Sequence, residues 1–60
     1  METLELVYDK IIKETEEAKL IKFGDKKVWV PKSIIEEENE HTIEIEEWFV
    51  LEYELEGYEV

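Results

Sequence analysis

His41 and Ser33 are the single histidine and single serine of this chain, which has no cysteine and no arginine. A nucleophile needs a base within reach and donors for an oxyanion. Ser33 follows Pro31-Lys32 in a turn-forming stretch, where the simplest role for a hydroxyl is to cap local backbone groups. His41 stands among Glu38, Glu40 and Glu44. Zinc takes three or four ligands at fixed spacing, usually several His or Cys, and one histidine in an acidic loop does not supply them. Glu36-Glu37-Glu38 lacks the D-x-D-x-D-G alternation of a calcium loop. Paired carboxylates are everywhere, but acid–base work needs one desolvated in a cleft, and a domain this small has little room for a cleft beside its core. The sequence therefore predicts a non-enzymatic protein with no metal and no cofactor.

The remaining chemistry is charge. All seven lysines fall between Lys10 and Lys32, and the seven acids of the first 32 residues balance them. From Ser33 to Val60 there are eleven glutamates and no lysine, so the net charge of −11 belongs to the last 28 residues. A folded face of glutamates can bind a basic protein surface, such as that of a nucleic-acid-binding protein. Dense enough, it imitates the phosphate array of DNA, which carries a charge every ~1.7 Å of axis. Glu44, Glu46, Glu47, Glu52, Glu54 and Glu56 are the candidates for that surface. The bland alternative is a solvated face that keeps the protein soluble.

The alternative binding site is the lysine-rich segment 18–32. There Lys22, Lys26, Lys27 and Lys32 surround Trp29, and basic residues with an aromatic can hold a single nucleic-acid strand. Net charge and the lack of arginine argue against it. A charge of this sign repels polyanions at long range.

These residues must be positioned by a single domain of 60 residues. Such a chain buries only about 60% of its unfolded surface. Two Trp, three Tyr and two Phe spread along the chain argue for a folded core rather than a disordered acidic tail. Trp29, Trp48, Phe49, Tyr53 and Tyr58 are more aromatic surface than so small a core is expected to cover, which predicts self-association into a homodimer. No stretch of about 18 apolar residues is present, and the acidic start lacks the basic residues of a signal peptide, so a cytoplasmic location and no membrane are expected.

The clearest element is a hairpin. Strand-forming runs at 18–23 and 26–30 flank Gly24-Asp25, and glycine first in a two-residue loop suits a type II′ turn. Ile21, Phe23, Val28 and Val30 then share one face and Ala18, Leu20 and Trp29 the other, which suggests a hairpin covered from both sides. Pro31 ends the second strand because it cannot donate to a ladder. Residues 4–13 fit two periods, Leu4, Val7, Tyr8 and Ile11 as a helical stripe or Leu4, Leu6 and Tyr8 in alternation. Ile11-Ile12 with Thr15 favour a strand over at least 6–13. Residues 36–41 read as a polar loop, and Thr42-Ile43-Glu44-Ile45-Glu46 as a strand by strict alternation. The terminal third fits two periods: Trp48, Leu51, Leu55 and Tyr58 at helical spacing, or Phe49, Leu51, Tyr53 and Leu55 in strand alternation. Gly57 is a plausible residue to end a helix.

Glu14-Thr15-Glu16-Glu17-Ala18, then Val28-Trp29-Val30-Pro31-Lys32-Ser33, then Glu47-Trp48 resemble the pattern of a loose group of small proteins of no assigned function from phages and mobile elements. In that group an E-T-[ED]-x-A turn precedes a strand, then [VI]-W-[VIL]-P-K-S, then a terminal helix opening at a Glu-Trp pair. The likeness spans roughly residues 8–57. It implies a helix over 47–56 and transfers no chemistry. The group has Pro before the Glu-Trp pair, where this chain has Glu46, so the helix start is less defined here.

The expected fold is α+β. A small antiparallel sheet of about four strands (6–13, 18–23, 26–30, 42–46) carries a C-terminal helix over 47–56. The all-β alternative makes 48–55 a fifth strand. The expected core is Ile11, Leu20, Ile21, Phe23, Val28, Val30, Ile34, Ile43, Ile45, Trp48 and Leu51.

Overall fold

A computed structural model describes residues 2–60. The N-terminal strand-forming stretch does not run as the single strand 6–13 that its composition suggests. It divides into β1 (Thr3–Val7) and β2 (Lys10–Glu14). At the break, the Tyr8 amide donates to the His41 carbonyl at 3.0 Å and the next amide, Asp9, donates to Lys22 at 2.8 Å. One peptide thus hands the chain from one sheet to the other. Tyr8 is buried there, and its hydroxyl donates to the Asn39 carbonyl at 2.6 Å.

β3 (Ala18–Phe23), β4 (Lys26–Pro31), β5 (Ile35–Glu38), β6 (Thr42–Glu46) and the helix α1 (Glu47–Glu52) follow, with 3₁₀ turns at Lys32–Ile34 and Glu56–Tyr58. Instead of one sheet of about four strands there are two antiparallel sheets of three, ordered β1-β6-β5 and β2-β3-β4. The class is α+β with a C-terminal helix; residues 48–55 do not form a fifth strand.

The inner faces of both sheets close on one core. Leu6, Ile43 and Ile45 come from the first sheet, and Ile21, Phe23 and Val30 from the second; all six are fully buried. Ile34, Phe49, Val50 and Leu55 complete it, with Ile11 and Val28 packed at its margin. Alternation in β3, β4 and β6 identifies the inner residues correctly. Leu20, Trp48 and Leu51 are corrections. Leu20 faces outward and is half-buried, while Trp48 and Leu51 are 47% and 52% exposed.

The β3–β4 hairpin has the expected two-residue loop: Phe23 pairs with Lys26, and φ is +55° at Gly24 but not positive at Asp25. That matches a type II′ turn. Its second face is not covered, since Trp29 is 47% exposed. The Glu14–Ala18 turn is closed by Thr15. Its hydroxyl accepts from the amides of Glu17 and Ala18 at 3.3 and 3.1 Å, and donates to the Ala18 carbonyl at 3.2 Å. Pro31 ends β4, which is an edge strand and tolerates the missing amide. The polar stretch 36–41 is not all loop, because Glu36, Glu37 and Glu38 belong to β5. Edge strands favour charged side chains, which block pairing with other chains, and so lose the alternation that marks an inner strand.

The helix stops at Glu52 rather than 56 because Glu54 turns into the left-handed region, at φ +56°. The Leu55 amide donates to the Val50 carbonyl at 2.9 Å and the Glu54 amide to Leu51 at 3.3 Å, the two bonds of a Schellman cap. The side chains of Val50 and Leu55, which such a cap brings together, are both fully buried. Gly57 has no part in ending the helix and lies in the 3₁₀ turn. Lys26 supports the same end from the hairpin, its Nζ donating to the carbonyls of Glu54 at 2.8 Å and Tyr53 at 3.3 Å.

Candidate functional site

Pairing across the first sheet is unusual in one respect. Glu5 of β1 lies directly opposite Glu44 of β6, and Glu44 lies directly opposite Glu37 of β5. Leu6, Ile43 and Ile45 point inward, so this row points outward. Neighbouring strands sit about 4.8 Å apart, which spreads three carboxylates over roughly 10 Å. Glu46 is two residues along the same face. Its Oε1 accepts from Trp48 Nε1 at 2.6 Å, holding the half-exposed indole against the acidic face.

Of the expected acidic residues, Glu44 and Glu46 belong to this face, and Glu47 opens α1 beside it. Glu52 ends α1 and Glu54 and Glu56 follow it; all three are exposed outside the row. Glu5 and Glu37 are the members that sequence reasoning missed. Their signal was only the register of β1 and β5, and β5 carries a bulge between Ile35 and Glu37 that hides it.

The second sheet repeats the arrangement with the opposite sign. Lys10 of β2, Lys22 of β3 and Lys27 of β4 lie directly opposite one another, and the next row on that face is Lys13–Leu20–Trp29. Of the residues expected here, Lys22, Lys27 and Trp29 are on the face. Lys26 is taken up by the helix end, and Lys32 Nζ pairs with Glu14 Oε2 at 2.7 Å. Lys10 and Lys13 take their places; only the bent path of β1 and β2 brings them there. Lys22 Nζ reaches Asp9 at 3.3 Å and donates to the Gly24 carbonyl at 2.8 Å. Lys10, Lys13 and Lys27 are exposed and have no ion-pair partner among the described residues.

Between the sheets an open groove of about 260 Å³ is lined by Glu14, Lys19, Lys32, Ile35 and Glu38. Its charges are matched internally, as Lys19 pairs with Glu38 and Lys32 with Glu14. The hydrogen bond from Lys32 holds the Glu14 carboxyl below its ordinary range. The bond to Glu38 raises Lys19 against the opposing effect of burial. Burial, then the nearby Glu38 charge, raises Tyr8. A groove whose charges are already paired offers little to an ionic ligand.

Ser33 is exposed, and its hydroxyl caps no backbone group of its turn, contrary to the simplest expectation. His41 is exposed in the β5–β6 turn, 3.4 Å from Glu40. Among the described residues no three histidine or carboxylate side chains converge to hold a metal ion, and no helix is long and apolar enough to cross a membrane. No protein-family model, curated protein or solved structure matches the chain.

Proposed function

We propose that this chain is a non-catalytic interaction protein whose acidic sheet face engages a basic protein surface. The observation that carries this is the row Glu5–Glu44–Glu37. Like charges directly opposite one another destabilise a sheet, where an opposite-charge or threonine pair would contribute about 0.2–1 kcal/mol. A solubility coat needs no such register, because glutamates on loops and helix ends serve it equally well. Three carboxylates held in line on rigid strands suit recognition of regularly spaced cations. Trp48, half-exposed and bonded to Glu46 of the same face, supplies the apolar anchor that interfaces surround with polar groups. Ordered carboxylates of this kind favour a nucleic-acid-binding protein as the partner, with the glutamates standing where phosphates would.

The test compares two variants of equal charge as immobilised baits. One replaces Glu5, Glu37 and Glu44 by Gln, the other Glu2, Glu16 and Glu17. Wild type and the second variant should retain basic proteins from a cell extract that duplex DNA and raised salt both release, and the first variant should lose them. Equal retention by both variants, or retention that DNA does not compete, overturns the reading.

A further inference from the structure

The outer face of β2-β3-β4 combines two features that no fold requirement explains. The first is the row Lys10–Lys22–Lys27, in which like charges sit directly opposite one another. Among the described residues Asp9 is the one acid paired with it, through Lys22. The second is Trp29, 47% exposed on an edge strand two residues beyond Lys27 and on the same face. Two residues along a strand cover about 6.5–7 Å. Trp29 lies opposite Leu20, whose far neighbour is Lys13, so the indole is flanked by apolar surface and further positive charge.

We infer that this face binds single-stranded nucleic acid, the lysine row tracking phosphates and Trp29 stacking on a base. The inference is independent of the proposed role of the acidic face. Charge and aromatic together select the occupant. An acidic protein would satisfy the lysines and leave the indole without a planar partner, whereas a single strand supplies both an anionic backbone and unpaired ring faces. Three lysines across roughly 10 Å match about three stacked nucleotides at ~3.4 Å each. The net charge of −11 does not decide against it, because Asp9 is the one acid paired with this face among the described residues and the excess charge belongs to the glutamates after Ser33. The glutamate row lies across the core on the outer side of the other sheet. Sheets pack about 10 Å apart and side chains extend beyond both, so the rows are separated by more than the Debye length of about 8 Å at physiological salt. Asp9 and Asp25 near the hairpin tip, and Glu14, Glu16 and Glu17 towards the opposite turn, are the acids nearest along the chain to this face, and Glu14 is paired with Lys32. They set a preference for modest affinity and strong salt dependence.

The probe is a fluorescein-labelled oligothymidylate of about 20 nucleotides, followed by anisotropy at about 25 mM NaCl. Wild type should bind with a micromolar Kd that weakens steeply with salt. The K10Q/K27Q double variant should lose about tenfold in affinity and reduce the slope of log K against log salt by about 1.4, two contacts at ~0.7 each. W29A should lose roughly tenfold, and W29F should recover most of it. As W29A alters a strand, a second measurement uses W48F, in which Trp29 is the one tryptophan. Its emission should be quenched at saturation. The E37Q/E44Q variant should bind the oligonucleotide at least as well as wild type, which separates this site from the acidic face. No binding by wild type at roughly 0.5 mM protein overturns the inference. So does binding unaffected by K10Q/K27Q. Unchanged emission of Trp29, or inorganic polyphosphate competing as well as the oligonucleotide, reduces the face to a plain anion site and also overturns it.

Discussion

A β-carbon placed on Gly24 would lie 2.8 Å from Cε1 of Tyr58. The tip of the β3–β4 hairpin and the last turn of the chain are therefore in contact at a position where only a missing side chain fits. The ring of Tyr58 also packs on Phe23, with centroids 5.9 Å apart. Gly24 answers two demands at once, the positive φ of the turn and the space for this ring. Gly24→Ala should lower stability by about 1–2 kcal/mol from the left-handed backbone alone, with more from displacing Tyr58. Urea denaturation measures the loss. A midpoint unchanged from wild type would mean that neither the turn nor the ring contact is as described.

Glu54 is the reverse case, a residue with a side chain where glycine belongs. It adopts φ +56° to close the Schellman cap, and the Lys26 ammonium holds its carbonyl at 2.8 Å. Both interactions involve only the backbone of Glu54. Glu54→Gly should therefore keep them, remove the left-handed strain, and raise stability by about 0.5–1 kcal/mol. Glu54→Gln removes the same charge without relieving the backbone and serves as the control. A gain shared equally by both variants assigns the effect to charge and not to the cap.

These two positions show what was legible in the sequence. Gly24-Asp25 between two apolar runs specified a hairpin and which residues share a face. Its register was the weak point, since two- and four-residue loops give the same alternation, and the Phe23–Lys26 pair decides it. Alternation in 42–46 placed Ile43 and Ile45 inside. The helix was harder. It has six residues, too few for a period to declare its phase, and it starts directly from β6 so that the strand decides which side faces in. Within the helix Phe49 and Val50 are buried and Trp48 and Leu51 exposed, which reverses the first half of the stripe drawn through Trp48, Leu51, Leu55 and Tyr58. Tyr58 packs against the core from the last turn. Leu55 does reach the core, but from the cap beyond the helix. The charge asymmetry was legible as composition; its arrangement was not. The glutamate row combines Glu5, Glu44 and Glu37 from three strands, and the lysine row depends on a break at Tyr8-Asp9 that no glycine or proline announces.

Stability should fall at alkaline pH from two neighbouring groups. Lys19 is raised by its bond to Glu38, and Tyr8 by burial and the same carboxylate. A group whose folded pKa is raised binds its proton more tightly in the native state, so its contribution is complete below the unfolded value and is lost as pH rises through the folded one. Both unfolded values lie near 10. Urea midpoints should hold up to about pH 9 and decline beyond about pH 10. Lys19→Met should be less stable than wild type at pH 7, with the gap narrowing through that decline. A gap that stays constant across the window would show that the Lys19–Glu38 pair does not link folding to pH.

The centre of the glutamate row gives the test in which stability and function should part. Glu44 faces Glu5 on one side and Glu37 on the other. Added NaCl screens such repulsion, so the Tm of wild type at pH 7 should rise with salt despite the ion pairs that salt also weakens. Glu44→Lys converts two like-charge pairs into two opposite-charge pairs, and the lysine stem can lie along the half-buried sheet surface. At about 0.2–1 kcal/mol per cross-strand pair, the variant should be more stable than wild type by roughly 0.5–1 kcal/mol, and its Tm should respond less to salt. The same change puts a cation in the middle of the surface proposed to meet a basic partner, so binding should be lost while the fold improves. A residue kept at some expense to stability because binding requires it behaves in this way. If Glu44→Lys is less stable than wild type, the row is supported by interactions that outweigh its repulsion, and the argument from opposed charges fails. If it is more stable and still binds the partner, the row is a tolerated defect and the acidic face is not the interface.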